Sequence, residues 1–126
     1  LGLKPLAKIL SFGVHAQDPD WFTTAPADAI AKSLAAAELT ADQIDVYEIN
    51  EAFSVVALAV AKKLDLDMTK VNPRGGAVAL GHPIGATGNR LVVTLLHTMH
   101  DTSARYGCAS LCIGGGEALA MCIERL

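Results

Sequence analysis

Aromatic side chains are scarce in this sequence, with one Trp, two Tyr and three Phe among 126 residues. Because 52% of positions are hydrophobic, a sizeable core can still form, built from Ala, Val, Leu and Ile rather than from rings. Concentrated charge of either sign is also missing. The 10 basic and 13 acidic side chains are dispersed and sum to -3. There is no basic stripe for nucleic acid and no charge block of the kind that marks a disordered tail. No uninterrupted apolar run approaches membrane-spanning length, and the N-terminus lacks a signal-peptide pattern. Cysteine is limited to Cys108, Cys112 and Cys122, an odd number in apolar surroundings. That argues against a disulfide framework and for a reducing intracellular compartment, cytoplasm or mitochondrion. An initiator Met is absent too. The opening at Leu1, running into Pro5 and an apolar segment, has the look of a piece cut from a longer polypeptide. One domain is expected over residues 1–126.

What the sequence does have is glycine and proline in one place. Asn72 to Gly88 reads NPRGGAVALGHPIGATG, with five Gly, two Pro and a single His between Gly81 and Pro83. Glycine permits positive φ and close backbone approach, and proline fixes φ while removing a donor. Such a run holds a rigid, non-repetitive backbone and presents His82 at a fixed point. It is no dinucleotide or phosphate loop, since it contains neither G-x-G-x-x-G nor G-K-[ST]. A tight connection with a polar filler would read the same way, so the residues around it matter.

Before that run, Leu6 to Val14 suits a buried strand, broken by Asp18-Pro19-Asp20. Trp21 and Phe22 then stand together in a polar loop, either as a lid on the core or as the wall of a ligand pocket. Pro26 and Asp28 open a helix whose buried stripe is Ile30, Leu34 and Ala37. Thr40 and Gln43 are spaced as a capping box. Asp45 to Ile49 reads as a central strand, and Ser54 to Leu64 as a helix apolar enough to be buried between layers. Asn50 and Glu51 lie between them, past the carboxyl end of a strand. That rim is where α/β sheets bind ligands, although an Asn there serves equally as a cap.

Val71-Asn72 is expected as a short strand, and Ala86 to about Ser103 as the third helix. Cys108–Ile113, Gly114-Gly115-Gly116 and Ala118–Ile123 form a strand, a turn and an antiparallel strand. The order is βαβαβαββ, which predicts an α/β fold: a five-stranded mixed sheet with three helices and its last strand antiparallel at an edge. Asn50, His82 and the Cys112-Ile113-Gly114 step all follow strands and so fall at one rim. A His, a thiol and a glycine amide together suit acyl transfer, which needs a proton carrier, a second acid or base and donors for an oxyanion.

These motifs, NEAF at Asn50–Phe53, GGAVALGHPIGATG at Gly75–Gly88 and LCIGGG at Leu111–Gly116, resemble the C-terminal half of a thiolase in order and spacing. The likeness covers nearly the whole chain and is nearest to acetyl-CoA acetyltransferases. It implies a βαβαβαββ half packed on a similar N-terminal half, in homodimers or homotetramers. It implies that His82 accepts the proton of a nucleophilic cysteine and that Cys112 handles the α-carbon proton of acetyl-CoA. Asn50 would hold a water that forms one oxyanion hole with His82, and the Gly114 amide would contribute to a second. Phe22, Ala52 and Phe53 would line the acyl pocket. Coenzyme A thioesters would be the substrates, with no cofactor, no metal, no nucleic acid and no membrane span.

The reaction implied is condensation of two acetyl-CoA to acetoacetyl-CoA and its reverse. The nucleophile of that family lies in the half not present here, and Cys108 and Cys122 sit within predicted strands. The chain alone is therefore expected to be inactive. A non-catalytic thiolase-fold module for assembly or regulation is the alternative. Three departures from the family pattern stand out: Phe22-Thr23 in place of Met-Gly, Pro73-Arg74 in place of a small flexible pair, and Glu117-Ala118. The first leaves acyl specificity open, and the second should stiffen the run without touching His82.

Overall fold

The alternation and helical stripes of the sequence appear as regular elements in the computed structural model, which describes residues 2–126. The strands are β1 (Ala7–Ala16), β2 (Val46–Ile49), β3 (Tyr106–Cys112) and β4 (Glu117–Arg125). The helices are α1 (Ala25–Ala36), α2 (Ser54–Leu64), α3 (Ala77–Leu80) and α4 (Thr87–Thr102), with short 3-10 turns at Pro19–Thr24, Ala41–Gln43 and Met68–Lys70. The sheet order is β1-β4-β3-β2. β2 and β3 run parallel, and β4 is antiparallel to both β1 and β3.

The expected hairpin is therefore present, but β4 is not an edge strand. β1 returns to lie along it, from Ala7 opposite Arg125 to Ala16 opposite Glu117. This pairing joins the two ends of the chain, so no local pattern announces it.

A fifth strand is also absent among the described residues. Val71 makes one isolated bridge to Tyr47, and then Asn72 adopts a left-handed φ of 47°. Its side chain takes over the pairing. Ile49 N donates to Asn72 Oδ1 at 2.8 Å, and Asn72 Nδ2 donates to Ile49 O at 2.8 Å. An amide side chain so placed satisfies the strand edge as a further residue would, while the left-handed turn, which Asn tolerates, sends the chain into the glycine-rich run.

The run contains a fourth helix that its sequence did not announce. α3 is one turn long, and the Glu51 carboxylate accepts its Val78 N–H at 2.9 Å. That acceptor fills a role the helix start cannot supply itself. Gly76 lets the Glu51 carboxylate come this close, since a Cβ there would lie 2.5 Å from Glu51 Cδ and push the side chain aside. Arg74 pairs with Asp101 near the end of α4, which is how the Pro73-Arg74 step is anchored.

Helices α1 and α2 cover one face of the sheet over a core that includes Ile30, Ile44, Tyr47, Ile49, Val56, Val60, Cys108 and Cys122. α4 covers part of the other, with Val46, Leu91, Leu95, Met99 and Ile123. Two burial expectations are corrected. β1 is buried on one side only: Ser11 and Gly13 face α1, while Phe12 and Val14 are 67% and 61% exposed. α2 likewise buries Val56 and Val60 but leaves Val55 and Leu58 open. Apolar periodicity identifies a face that seeks cover, not the element that covers it. No helix of the described residues is long and apolar enough to cross a membrane.

Candidate active site

β2 delivers Asn50 to the rim. Its N–H donates to Ser110 O at 2.9 Å, carrying the parallel ladder one residue past the strand, and Asn50 is fully buried. It does not cap α2, whose N-cap is Phe53 with no side-chain cap bond. Instead the Asn50 Nδ2 approaches His82 Nε2 at 3.5 Å.

The other ring nitrogen of His82 is held more tightly. Thr87, in the first turn of α4, donates its hydroxyl proton to Pro83 O at 3.0 Å. Its oxygen is then the acceptor for His82 Nδ1–H at 2.6 Å. This network assigns the tautomer: Nδ1 carries the proton and Nε2 is bare, turned toward the Asn50 amide. A bare Nε2 held from behind can accept a proton and, once protonated, can donate toward an oxyanion. His82 itself is exposed, as is the chain around it from Gly81 to Ala86.

Cys112 ends β3 and is 8% exposed, packed in the same apolar cluster that Phe22 and Ala52 adjoin. Burial pushes its thiol up from the ordinary value, so the resting form is the neutral acid. Cys112 comes to the rim from the α1–α2 side, whereas Asn50 and His82 occupy the α4 side. No hydrogen bond joins Cys112 to His82 among the described residues. Cys108 and Cys122 face each other across β3 and β4, both fully buried, and all three cysteines are free.

In the glycine turn, Ile113 N donates to Glu117 O and Gly116 N to Ile113 O. The Gly114 amide lies outside those bonds, on an exposed residue where an added Cβ would meet nothing within 4 Å. Gly116 is different: its φ is 99°, and a Cβ would lie 2.2 Å from Gln17 O. The Glu117 carboxylate, unassigned from sequence, sits against Gly115. Phe22 and Phe53 meet edge to face at 6.0 Å, with Phe53 60% exposed.

Sequence reasoning missed Thr87, although a Thr five residues after a lone His in a glycine-rich run was a usable signal. It also missed Glu48, a single acid in the apolar strand VYEI, which is fully buried beneath Asn50 and contacts Arg90 Nη1 at 3.4 Å. Burial pushes Glu48 up to about 7, with Arg90 opposing.

A family model described as thiolase, C-terminal domain matches residues 3–125. The chain is 53% identical over all 126 residues to the acetyl-CoA acetyltransferase of Schizosaccharomyces pombe, of which it covers 32%. The crystal structure of the Bacillus anthracis acetyl-CoA acetyltransferase matches with a TM-score of 0.96 and 47% identity, over 99% of this chain and 32% of that one. Human mitochondrial 3-ketoacyl-CoA thiolase matches with a TM-score of 0.94 and 41% identity, over 97% of this chain and 31% of that one. The chain thus spans about a third of the length of these relatives.

Proposed function

The chain belongs to the thiolase family, as its C-terminal domain, and on that premise we propose that it is the C-terminal catalytic portion of an acyltransferase of the acetyl-CoA acetyltransferase type. The observation that carries this reading is the His82 imidazole, held at Nδ1 by Thr87 with bare Nε2 facing the Asn50 amide. In the proposed reaction, His82 Nε2 takes the proton of a nucleophilic cysteine supplied by an N-terminal portion. The thiolate then attacks the acyl carbonyl. A water held by Asn50, together with the His82 imidazole, forms one oxyanion hole, and the Gly114 amide contributes to a second. In the cleavage direction the bond from the acyl carbon to the α-carbon breaks and Cys112, neutral at rest, delivers its proton to the leaving α-carbon; in the reverse its thiolate removes that proton. Phe22, Ala52 and Phe53 bound the acyl group.

Short 3-ketoacyl-CoA thioesters are the proposed substrates, and no cofactor is required because the thioester itself supplies the activation. Residues 1–126 act as one domain within a homodimer or homotetramer, in a reducing intracellular compartment that suits three unpaired thiols. The chain alone should show no thiolysis of acetoacetyl-CoA, since it lacks the nucleophile. Turnover above a heat-killed control would rule that out. In the full-length enzyme, His82→Ala should abolish accumulation of radiolabelled acyl-enzyme. Asn50→Ala should slow it by roughly 10²–10³-fold, the effect of losing one oxyanion donor. Normal labelling of the His82 variant would overturn the reading and favour a non-catalytic module.

A further inference from the structure

Whether Asn50 and His82 meet depends on how β2 stands against the start of α4. β2 carries Asn50, and the first turn of α4 carries Thr87, which holds His82. One step below that contact, the same two elements are joined again. Glu48 projects from the same face of β2 as Asn50, two residues earlier, and Arg90 lies three residues along α4 from Thr87. Their ion pair, Arg90 Nη1 to Glu48 Oε2 at 3.4 Å, is the layer directly beneath the site.

As a stabilising device this pair is poor. Glu48 is fully buried, the Arg90 side chain is 19% exposed, and the contact is single rather than forked. Glu48 Oε1, Arg90 Nε and Arg90 Nη2 are left without partners, as is Asn50 Oδ1 in the layer above. Removing two charges from water for so little pairing is seldom repaid in stability, and apolar residues of similar volume commonly do as well. What such a pair can add is register, since an ion pair fixes one relative placement of two elements where apolar packing tolerates several. Register is what the Asn50–His82 contact requires, because at 3.5 Å it is already at the limit of a hydrogen bond.

We propose that Glu48 and Arg90 are positioning residues for the active site, setting α4 against β2 so that the Asn50 amide and His82 Nε2 meet. The proposal rests on the reading of Asn50 and His82 given above. It adds that the two elements bearing them are set by a buried polar tie. The catalytic groups themselves remain Asn50 and His82; Glu48 and Arg90 touch no substrate.

A double-mutant cycle in the full-length enzyme tests this, with rates expressed per mole of folded protein, taken from circular dichroism of each variant, so that unfolded protein does not count. Glu48→Gln, which keeps shape and removes charge, should lower kcat roughly 10- to 100-fold with little change in KM, the scale of a small misplacement of reacting groups. In an Asn50→Ala background the same change should cost less than about twofold, because its effect passes through Asn50. Parent kcat in Glu48→Gln would overturn the proposal, as would an equal loss in both backgrounds. If Glu48→Gln does not fold, Arg90→Lys, which keeps charge and moves the donors, carries the same cycle. If Asn50→Ala alone leaves the rate intact, the functional reading fails. An intact Asn50 effect with additive Glu48 loss defeats only the positioning role.

Discussion

The two faces of the sheet are finished to different degrees. On the α1–α2 side, Ile30, Tyr47, Ile49, Val56, Val60, Cys108 and Cys122 are at most 1% exposed. Even Gly13 is closed over, with α1 backbone where its Cβ would be. On the other side α4 covers β2 and β3 but stops short of β1. A groove of about 480 Å³ remains, lined by residues that include Phe12, Val14, Val92, Leu119 and Met121. Cys112 packs in the cluster on the closed side, whereas His82 lies against Thr87 at the start of α4. A contiguous exposed apolar face of this kind is the mark of an interaction surface.

The sharpest way to separate the two sides is Cys112→Ala in the full-length enzyme. If the buried thiol serves the α-carbon, condensation, cleavage and α-proton exchange of acetyl-CoA with solvent should each fall by roughly 10²–10⁴-fold, the usual contribution of a positioned acid or base. Acyl transfer between the enzyme and a simple thiol, which needs His82 and Asn50, should survive. Deuterium exchange into the acetyl methyl group at the parent rate would remove Cys112 from the mechanism.

Next in size is the packing of the closed face. A Cβ at Gly13 would lie 2.0 Å from Ala29 O and 2.7 Å from Ser33 N, both backbone atoms. Gly13→Ala should therefore cost about 1–3 kcal/mol or more, read as a lowered urea midpoint at unchanged slope. An unchanged midpoint would mean that α1 can move off the sheet.

The buried acid beneath the site makes a pH-dependent contribution of definite sign. Glu48 has an ordinary value of 4.5 and is pushed up to about 7 by burial, against the pull of Arg90. Between those values the folded chain holds a proton that the unfolded chain has released, so stability falls as pH rises through that window. From about pH 5 to about pH 8 the urea midpoint should drop more in the parent than in Glu48→Gln, which has no proton to lose. Parallel profiles would show that Glu48 does not titrate in this range.

The smallest effect on stability belongs to the open face. Phe12→Ser removes a ring that is 67% exposed, and should change folding free energy by no more than about 0.5 kcal/mol. The isolated chain should self-associate through this side, and light scattering should fall in the variant. A parent chain that stays monomeric on concentration, without binding hydrophobic dyes, would contradict an uncovered face.

Much of this was legible from residues alone, and for local reasons. The hairpin β3–β4 follows from two apolar runs around three glycines, and α1, α2 and α4 from their stripes. Cys108 and Cys122 sit within predicted strands, and both are fully buried in the core. Asn50 reads as a rim residue because it follows β2, whereas His82 was placed there by a Val71-Asn72 strand that does not form. Where the reading went astray, a distant partner decided the outcome. Val71-Asn72 is not a strand because the Asn72 side chain pairs with Ile49 in place of backbone. α3 forms because Glu51, more than twenty residues away in sequence, supplies its acceptor.

By itself the sequence located α1, α2, α4 and the four strands that pair and showed which positions are apolar, since these depend on propensity, periodicity and chain breakers within a few residues. Only the tertiary structure decided that β4 is central, that β1 and α2 each leave one apolar face open, and that Asn50 faces His82 rather than capping α2. It alone decided that Thr87 holds the imidazole from behind and that Glu48 and Arg90 meet under the site. Each of these depends on which segments become neighbours. A side chain's partner is set by elements distant in sequence, and an apolar face looks the same in sequence whether or not anything covers it.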